Sequence, residues 1–266
     1  MSVYQKEKPK FLQLAIDSVL TQKVKPKELI IVEDGPLTNE LYQILNKTSS
    51  NTGKTVIIRV PLLENKGLGN ALNEGIKYCT SEWIGRMDSD DYSIHNRFEI
   101  TLNEISKSNI DFDVIGGHIE EFDSESSENK GFRKVRLSHE EILKDFRNRN
   151  PMNHVTVFFK LNSVLKVGGY GDFLFFEDYD LWARMAHQGM RFHNLDSSLV
   201  KVRVGRDMIG RRRGFFYMKQ EIKMQLKLYK LGLSPLYAVI KNIIVRGFGR
   251  LLPKNILMIL YKLNRN

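Results

Sequence analysis

The chain has 266 residues, 42% of them hydrophobic and 27% charged, ordinary for one globular α/β domain with a C-terminal appendage and ample length for a core. Its single cysteine, Cys79, excludes an internal disulfide and accords with a reducing, cytoplasmic setting; residues 1–10 are too polar for a signal peptide, and no apolar run is long enough to span a membrane. The net charge of +10 is uneven, with 25 Lys and Arg against 29 Asp and Glu in residues 1–200, but 16 against 2 in residues 201–266. That basic segment suits an anionic membrane surface rather than nucleic acid, because no helix-turn-helix, zinc or base-stacking signature accompanies it.

In chain order, Leu12, Ile16, Val19 and Leu20 recur at helical spacing behind Pro9. Leu29-Ile30-Ile31-Val32 is a continuous apolar run ending in Glu33-Asp34-Gly35-Pro36, the pattern of a buried parallel strand that opens into a loop. A helix over residues 38–46, a strand over 55–60 and a helix marked by Leu68, Leu72, Ile76 and Cys79 follow. Residues 83–87 read as another buried strand, ending at a carboxylate cluster. This alternation predicts a doubly wound sheet, in which ligands bind beyond the carboxyl ends of the strands.

Further on, the pattern predicts a helix over 97–106, a strand over 114–122, a strand over 154–159, a turn at Gly168-Gly169-Tyr170-Gly171 and a helix over 177–188. Val200, Val202 and Val204 alternate with basic residues as in an edge strand. After Gly214, Phe216, Ile222, Leu226 and Tyr229 are spaced as in a helix.

Two acidic motifs carry the chemistry. Asp88-Ser89-Asp90-Asp91 crowds three carboxylates that repel one another unless a hard cation such as Mg²⁺ or Mn²⁺ lies between them. An isolated motif of this kind can be a solvated turn, but its place at a strand end favours a ligand site. In Glu177-Asp178-Tyr179-Asp180-Leu181-Trp182, acids at a helix start either serve the helix dipole or take a proton from an acceptor hydroxyl. Leu181 and Trp182 would fasten that helix into the core.

Leu12, Ala15, Ile16, Ser18, Val19, Leu20 and Gln22, followed by Glu28-Leu29-Ile30-Ile31-Val32-Glu33-Asp34-Gly35, resemble the opening of family 2 glycosyltransferases with the GT-A fold. Asn65-Lys66-Gly67-Leu68, Ala71-Leu72-Asn73 and the two acidic motifs continue the resemblance in order, over residues 2–213. Gly35-Pro36-Leu37-Thr38, Gly168-Gly169-Tyr170 and Arg211-Arg212-Arg213-Gly214 resemble the branch that builds bacterial exopolysaccharides such as amylovoran, colanic acid, capsule and O-antigen sugars.

The resemblance implies a Rossmann-like, mixed and mainly parallel sheet flanked by helices. It implies an inverting, metal-dependent hexosyl transfer from a nucleotide diphosphate sugar to a hydroxyl of a lipid-linked glycan. Asp34 would bond the nucleotide base, with Tyr4 in the same pocket and Lys66 on the nucleotide. Asp90 would bind the metal, with Asp88 on the metal or sugar side and Asp91 in support. Asp178 would be the base, with Glu177 and Asp180 positioning acceptor or helix. Members carry several more apolar residues before Ser2-Val3-Tyr4, so either a short first strand or a start upstream of Met1 is expected.

His154 reads either as a contact to diphosphate or acceptor or as a structural cap. Arg211 and Arg212 suit a loop closing on the diphosphate, or a basic contact to membrane or solvent. The apolar and basic residues after Gly232 suit an amphipathic anchor on the inner face of the cell membrane, giving a GT-A domain over 1–214 and a basic helical tail over 215–266. A sugar nucleotidyltransferase and a non-catalytic membrane-surface binding protein are the rival readings. The first lacks the expected Gly-rich phosphate loop, and the second has no need of Asp88, Asp90 and Asp178.

Overall fold

A computed structural model describes residues 1–50, 53–123, 126, 128–204 and 213–251. Arg211, Arg212 and the tail beyond Leu251 lie outside the described residues.

The apolar run around Ile31 becomes β2 (Glu28–Glu33), parallel to β1 (Ser2–Val3) on one side and β3 (Val56–Pro61) on the other. Parallel neighbours need long crossovers, and α1 (Pro9–Leu20) and α2 (Asn39–Ser50) supply them. Pro9 opens α1, whose Leu12, Ile16 and Val19 share a core with Ile31, Leu41 and Leu45. The helix α3 (Leu68–Ile76) then leads to β4 (Trp83–Gly85).

Here the chain departs from a simple continuation of the parallel sheet. β4 stops at Gly85 and runs antiparallel to β8 (Phe158–Lys160), with Ile84 opposite Phe159. The Phe158 ring lies 3.0 Å from where a Gly85 Cβ would sit, so a larger residue there would require that ring to give way. The choice of partner is a tertiary one, since a strand–helix alternation does not specify which sheet a strand joins.

The second sheet has the order β4, β8, β6 (Val114–Asp123), β9 (Phe192–Val204), β5 (Tyr92–Ser93), with β7 (Asn129–Arg133) paired to β6. β6 and β9 are parallel, the other pairs of this sheet antiparallel, and across both sheets most registered residue pairs are parallel. The segment expected as an edge strand at Val200 is the end of the 13-residue β9, which has β6 on one side and β5 on the other. A register shift beside Gly117 and His118, and the polar Asp196-Ser197-Ser198 run, hide its first half from an alternation count.

Residues 154–156 form a single 3-10 turn rather than the start of a strand. The Thr156 hydroxyl accepts the Gly117 N–H at 3.0 Å and donates to the Asn153 carbonyl at 2.8 Å, satisfying backbone groups that a ladder would otherwise use. Helices α4 (Arg97–Lys107), α5 (His139–Asp145) and α6 (Leu161–Lys166) flank the sheet. A capping box of Ser138 and Glu141 starts α5.

Trp182 on α7 (Glu177–His187) is fully buried among Phe146, Tyr179 and Phe192. The following helix, α8 (Phe215–Lys230), sends Tyr217, Met224 and Leu228 into the same core. A shorter helix, α9 (Leu236–Asn242), leads into a wider turn and a last 3-10 turn. No helix among the described residues is long and apolar enough to cross a membrane.

At the other end of the chain, the Met1 amino group donates to the Ile30 carbonyl at 3.0 Å and borders a cavity of about 380 Å³ lined by Ile30, Trp83, Phe158 and Tyr170. Burial, followed by the nearby Arg86 charge, pushes that amino group down to about 5.

Candidate active site

The loop after β4 turns the carboxylates of Asp88, Asp90 and Asp91 together, with one oxygen from each within 4.8 Å of the others. Two buried arginines hold this loop from behind. Arg86 pairs with Asp88 at 2.5 Å, and Arg97 donates to the Arg86 carbonyl at 2.7 Å. From β9, the Arg203 N–H donates to Asp91 at 2.7 Å, while its side chain donates to the Asp90 carbonyl at 3.0 Å. The Arg203 guanidinium lies over the Phe11 ring at 3.8 Å, fixing the end of β9 against α1.

Ser89 donates its hydroxyl to Glu7 at 2.6 Å, so a fourth carboxylate joins the rim from the loop after β1. Burial, then the charges of Asp88 and Glu7, push Asp90 up to about 7. Burial, then Asp88 and Asp90, push Asp91 well above the usual carboxylate range. Three carboxylate oxygens crowded in this way could hold a hard divalent cation.

Asp34 sits at the carboxyl end of β2 and is buried. Its Oδ1 accepts the Lys66 N–H at 2.7 Å, and its carbonyl accepts the Asn65 amide at 3.2 Å. Asp34 therefore meets Lys66 through the backbone, and the Lys66 side chain is exposed. Gly35 makes this possible: its φ is +83°, and a Cβ would lie 2.7 Å from the Asn65 nitrogen. Tyr4, half-exposed, stands in the turn between β1 and Glu7, where its carbonyl accepts the Glu7 N–H at 3.0 Å.

The second acidic motif opens α7. Asp178 accepts the Asn150 amide at 2.6 Å and the Tyr179 N–H at 2.8 Å. Glu177 packs against Gly69 at the start of α3, with its Cγ 3.1 Å from where a Cβ on that glycine would be. Burial, with the Asp178 charge adding to it, raises the Glu177 carboxyl. Asp180 is buried and bound by Arg184 at 2.8 Å and by Lys227, an arrangement that ties α7 to α8.

Tyr170 is buried and held by His154 and Asn73. Its hydroxyl lies within electrostatic reach of Arg86, Asp178 and Asp88, and it meets His154 Nε2 at 2.8 Å. Asn73 on α3 brackets the same residue, accepting the Tyr170 N–H at 2.8 Å and donating to its carbonyl at 2.7 Å. Burial, then the Arg86 charge, push His154 well below its ordinary value. Its ring holds Tyr170 and meets Trp182 at 6.1 Å. Glu7, Tyr170, Asn73 and Asn150 had no assigned part in the sequence reading, and Arg86 had none beyond flanking the first acidic motif.

A mixed sheet with an acidic loop at the end of one strand and a carboxylate at a later helix start is the arrangement of the GT-A fold. The comparisons agree. The S. aureus TarS 1–349 structure in complex with UDP-GlcNAc superposes with a TM-score of 0.65 at 16% identity, covering 94% of this chain and 72% of that one. The chain spans 42% of a longer TarS structure. The mannosyltransferase PcManGT from Pyrobaculum calidifontis, in complex with GDP-Man and Mn²⁺, gives a TM-score of 0.65 at 12% identity over 93% of this chain and 68% of that one.

The model of glycosyl transferase family 2 matches residues 1–168, and the chain belongs to that family. It is 37% identical, over 98% of its length and 94% of the relative's, to an Escherichia coli UDP-Gal:alpha-D-GlcNAc-diphosphoundecaprenol beta-1,3-galactosyltransferase. Identity to the amylovoran biosynthesis glycosyltransferase AmsE of Erwinia amylovora is 34% over 100% of this chain and 97% of that one. The protein is a glycosyltransferase, which removes the nucleotidyltransferase and the non-catalytic readings.

Proposed function

We propose that this enzyme transfers a hexose from a nucleotide diphosphate sugar to a hydroxyl of a glycan carried on a lipid diphosphate, with inversion at the anomeric carbon. The Escherichia coli relative, named for UDP-Gal and a diphosphoundecaprenol-linked GlcNAc, makes UDP-galactose the first donor to test. The observation that supports the reading is the gathering of the Asp88, Asp90 and Asp91 carboxylates in the loop after β4, with one oxygen from each within 4.8 Å of the others. We assign catalysis to residues 1–214 and leave residues 215–266 as a basic segment that keeps the enzyme on the inner face of the cell membrane.

In this reading Asp34 and Tyr4 form the nucleotide pocket, with Lys66 at its mouth and Arg211 and Arg212 closing over the diphosphate. Asp90 and Asp88 would hold Mn²⁺ or Mg²⁺, and Asp91 would anchor the loop through Arg203. The cation would offset charge on the departing nucleotide diphosphate. Asp178 takes the acceptor proton as that oxygen bonds to the anomeric carbon and the bond from this carbon to the diphosphate oxygen breaks. Glu177 packs against Gly69 at the start of α3, and Asp180 supports α7 from the core. His154 keeps Tyr170 in place.

The test is transfer from radiolabelled UDP-galactose and a panel of other nucleotide sugars to a lipid diphosphate-linked GlcNAc, with Mn²⁺ and with chelator. Product that forms only with metal and is lost in Asp178→Asn is the expected result. Full transfer in that variant would remove Asp178 as the base.

A further inference from the structure

Among the described residues, Phe175 is alone among non-glycine residues in having a positive φ, at 70°. A bulky side chain is strained there, and such strain persists only where packing enforces it. The Phe175 ring stacks on Tyr217 at 4.9 Å and meets Phe216 edge-on at 6.1 Å. Even so, the ring remains 48% exposed, and Leu174, Phe215 and Phe216 beside it are 49%, 69% and 52% exposed. The fold thus spends backbone strain on an aromatic ridge that faces outward, three residues ahead of Asp178.

The ridge continues along α8. Phe216, Lys219, Lys223, Leu226 and Lys230 recur every three or four residues on its exposed side, while Met224 and Leu228 face the core. On a helix facing water, lysines are commonly matched by acids one turn away. Here none are: the single acid of residues 213–251 is Glu221, which is buried and paired with Arg246 and Arg250. Leu236, Tyr237, Ile240 and Lys241 on α9 repeat the same exposed mixture of apolar, aromatic and cationic side chains. Such a face suits the headgroup layer of an anionic bilayer, where rings and aliphatic chains enter the boundary and ammonium groups meet the lipid charges.

We propose that the outer face of α8, extended by Leu174 and Phe175, is the surface that lies on an anionic membrane. This rests on the reading of a lipid-linked acceptor and of a membrane-facing segment over 215–266; it narrows that contact to one face of α8 and extends it to Leu174 and Phe175, just ahead of Asp178 in the chain. The strained Phe175 couples the two, because the loop that carries its ring into the interface leads directly into α7.

The experiment sediments the full chain with phosphatidylglycerol-containing vesicles and with pure phosphatidylcholine vesicles, comparing wild type, Lys219→Glu/Lys223→Glu and Phe216→Ser. All three sites are exposed, and unchanged thermal melting confirms that each variant folds. Wild type is expected to bind the anionic vesicles preferentially, and the double charge reversal to weaken that binding about tenfold or more. Transfer to a long-chain acceptor in vesicles should fall in parallel, while transfer to a short-chain, water-soluble acceptor analogue stays as in wild type. Equal binding by wild type and both variants overturns the proposal. So does self-association without vesicle binding that the same substitutions abolish, since the face would then be a subunit interface. Vesicle binding is read without donor or acceptor, so failure of transfer in every protein would sink the catalytic reading while the sedimentation still decides the face.

Discussion

Asn150 donates its side-chain amide to the Asp178 carboxylate at 2.6 Å, across 28 residues of chain. The amide is itself held, because its oxygen accepts the Met152 N–H at 3.2 Å. Asn150 therefore acts as a positioning residue for the proposed base. Asn150→Ala should lower kcat by about tenfold to a hundredfold through misplacement of that carboxylate, with the donor KM little changed. Asn150→Asp puts a like charge against Asp178 and should move the acid limb of the pH–rate profile upward. Steady-state kinetics over a pH series separates this from a structural role, which would alter Tm but leave the limb in place.

The acid cluster makes a prediction about pH. Asp90 is raised from 3.8 to about 7 by burial first, and then by Asp88 and Glu7. A raised carboxylate favours the folded state most fully below its unfolded value, so the metal-free protein should lose stability as pH climbs through 3.8 to about 7. Cation binding needs the ionised form and has the opposite dependence. The Tm increase caused by Mn²⁺ should be small near about pH 6 and larger near about pH 8. Asp90→Asn should raise the metal-free Tm near neutral pH and abolish the Mn²⁺ effect. A Mn²⁺ shift of wild-type size in that variant would exclude Asp90 as a ligand.

Glu7 tunes the same group from the opposite side of the loop. Glu7→Gln keeps an oxygen for the Ser89 hydroxyl, held at 2.6 Å in the native protein, while removing one of the charges that raise Asp90. The pH midpoint for Mn²⁺ binding, measured by calorimetric titration at several pH values, should move downward. Affinity on the alkaline side should weaken, because the rim carries one negative charge fewer. An unchanged midpoint would mean that Glu7 does not act on Asp90.

These relationships also mark how far the sequence could be read. β2, α3 and α7 were visible because apolar spacing and terminal carboxylates are local signals, and the two acidic motifs fell where strand and helix ends were expected. The partner of β4 was not visible, since nothing in Trp83-Ile84-Gly85 states that Phe159 will lie opposite Ile84. The turn at Thr156 was hidden because its hydroxyl bonds to a glycine 39 residues away. Glu7 reaches Ser89 over 82 residues and Tyr170 meets His154 over 16, so neither pair forms a motif that a scan along the chain could pick out. Arg86 stood in plain view beside Asp88, but only its burial distinguishes a side chain that braces the loop from a surface arginine.

The end of the described chain makes the last prediction. Glu221 on α8 is fully buried and meets Arg246 at 3.1 Å and Arg250 at 3.2 Å, and the Arg250 carbonyl accepts the Gly214 N–H at 3.1 Å. The Arg250 guanidinium also lies over Tyr217 at 4.7 Å, the ring on which Phe175 stacks. Removing the acid takes the shared carboxylate from both arginines, and breaking a buried pair costs about 3–5 kcal/mol. Glu221→Ala should therefore lower Tm by roughly 10 °C, at about 2–4 °C per kcal/mol for a chain of this size. Glu221→Gln retains hydrogen-bond acceptance and should lose less. Because the pair is sheltered from solvent, the deficit should persist at about 1 M salt, where an exposed pair would be screened. Differential scanning calorimetry of both variants at low and high salt checks this, and a deficit that vanishes with salt would place Glu221 at the surface instead of in the joint that holds Arg246 and Arg250 to α8.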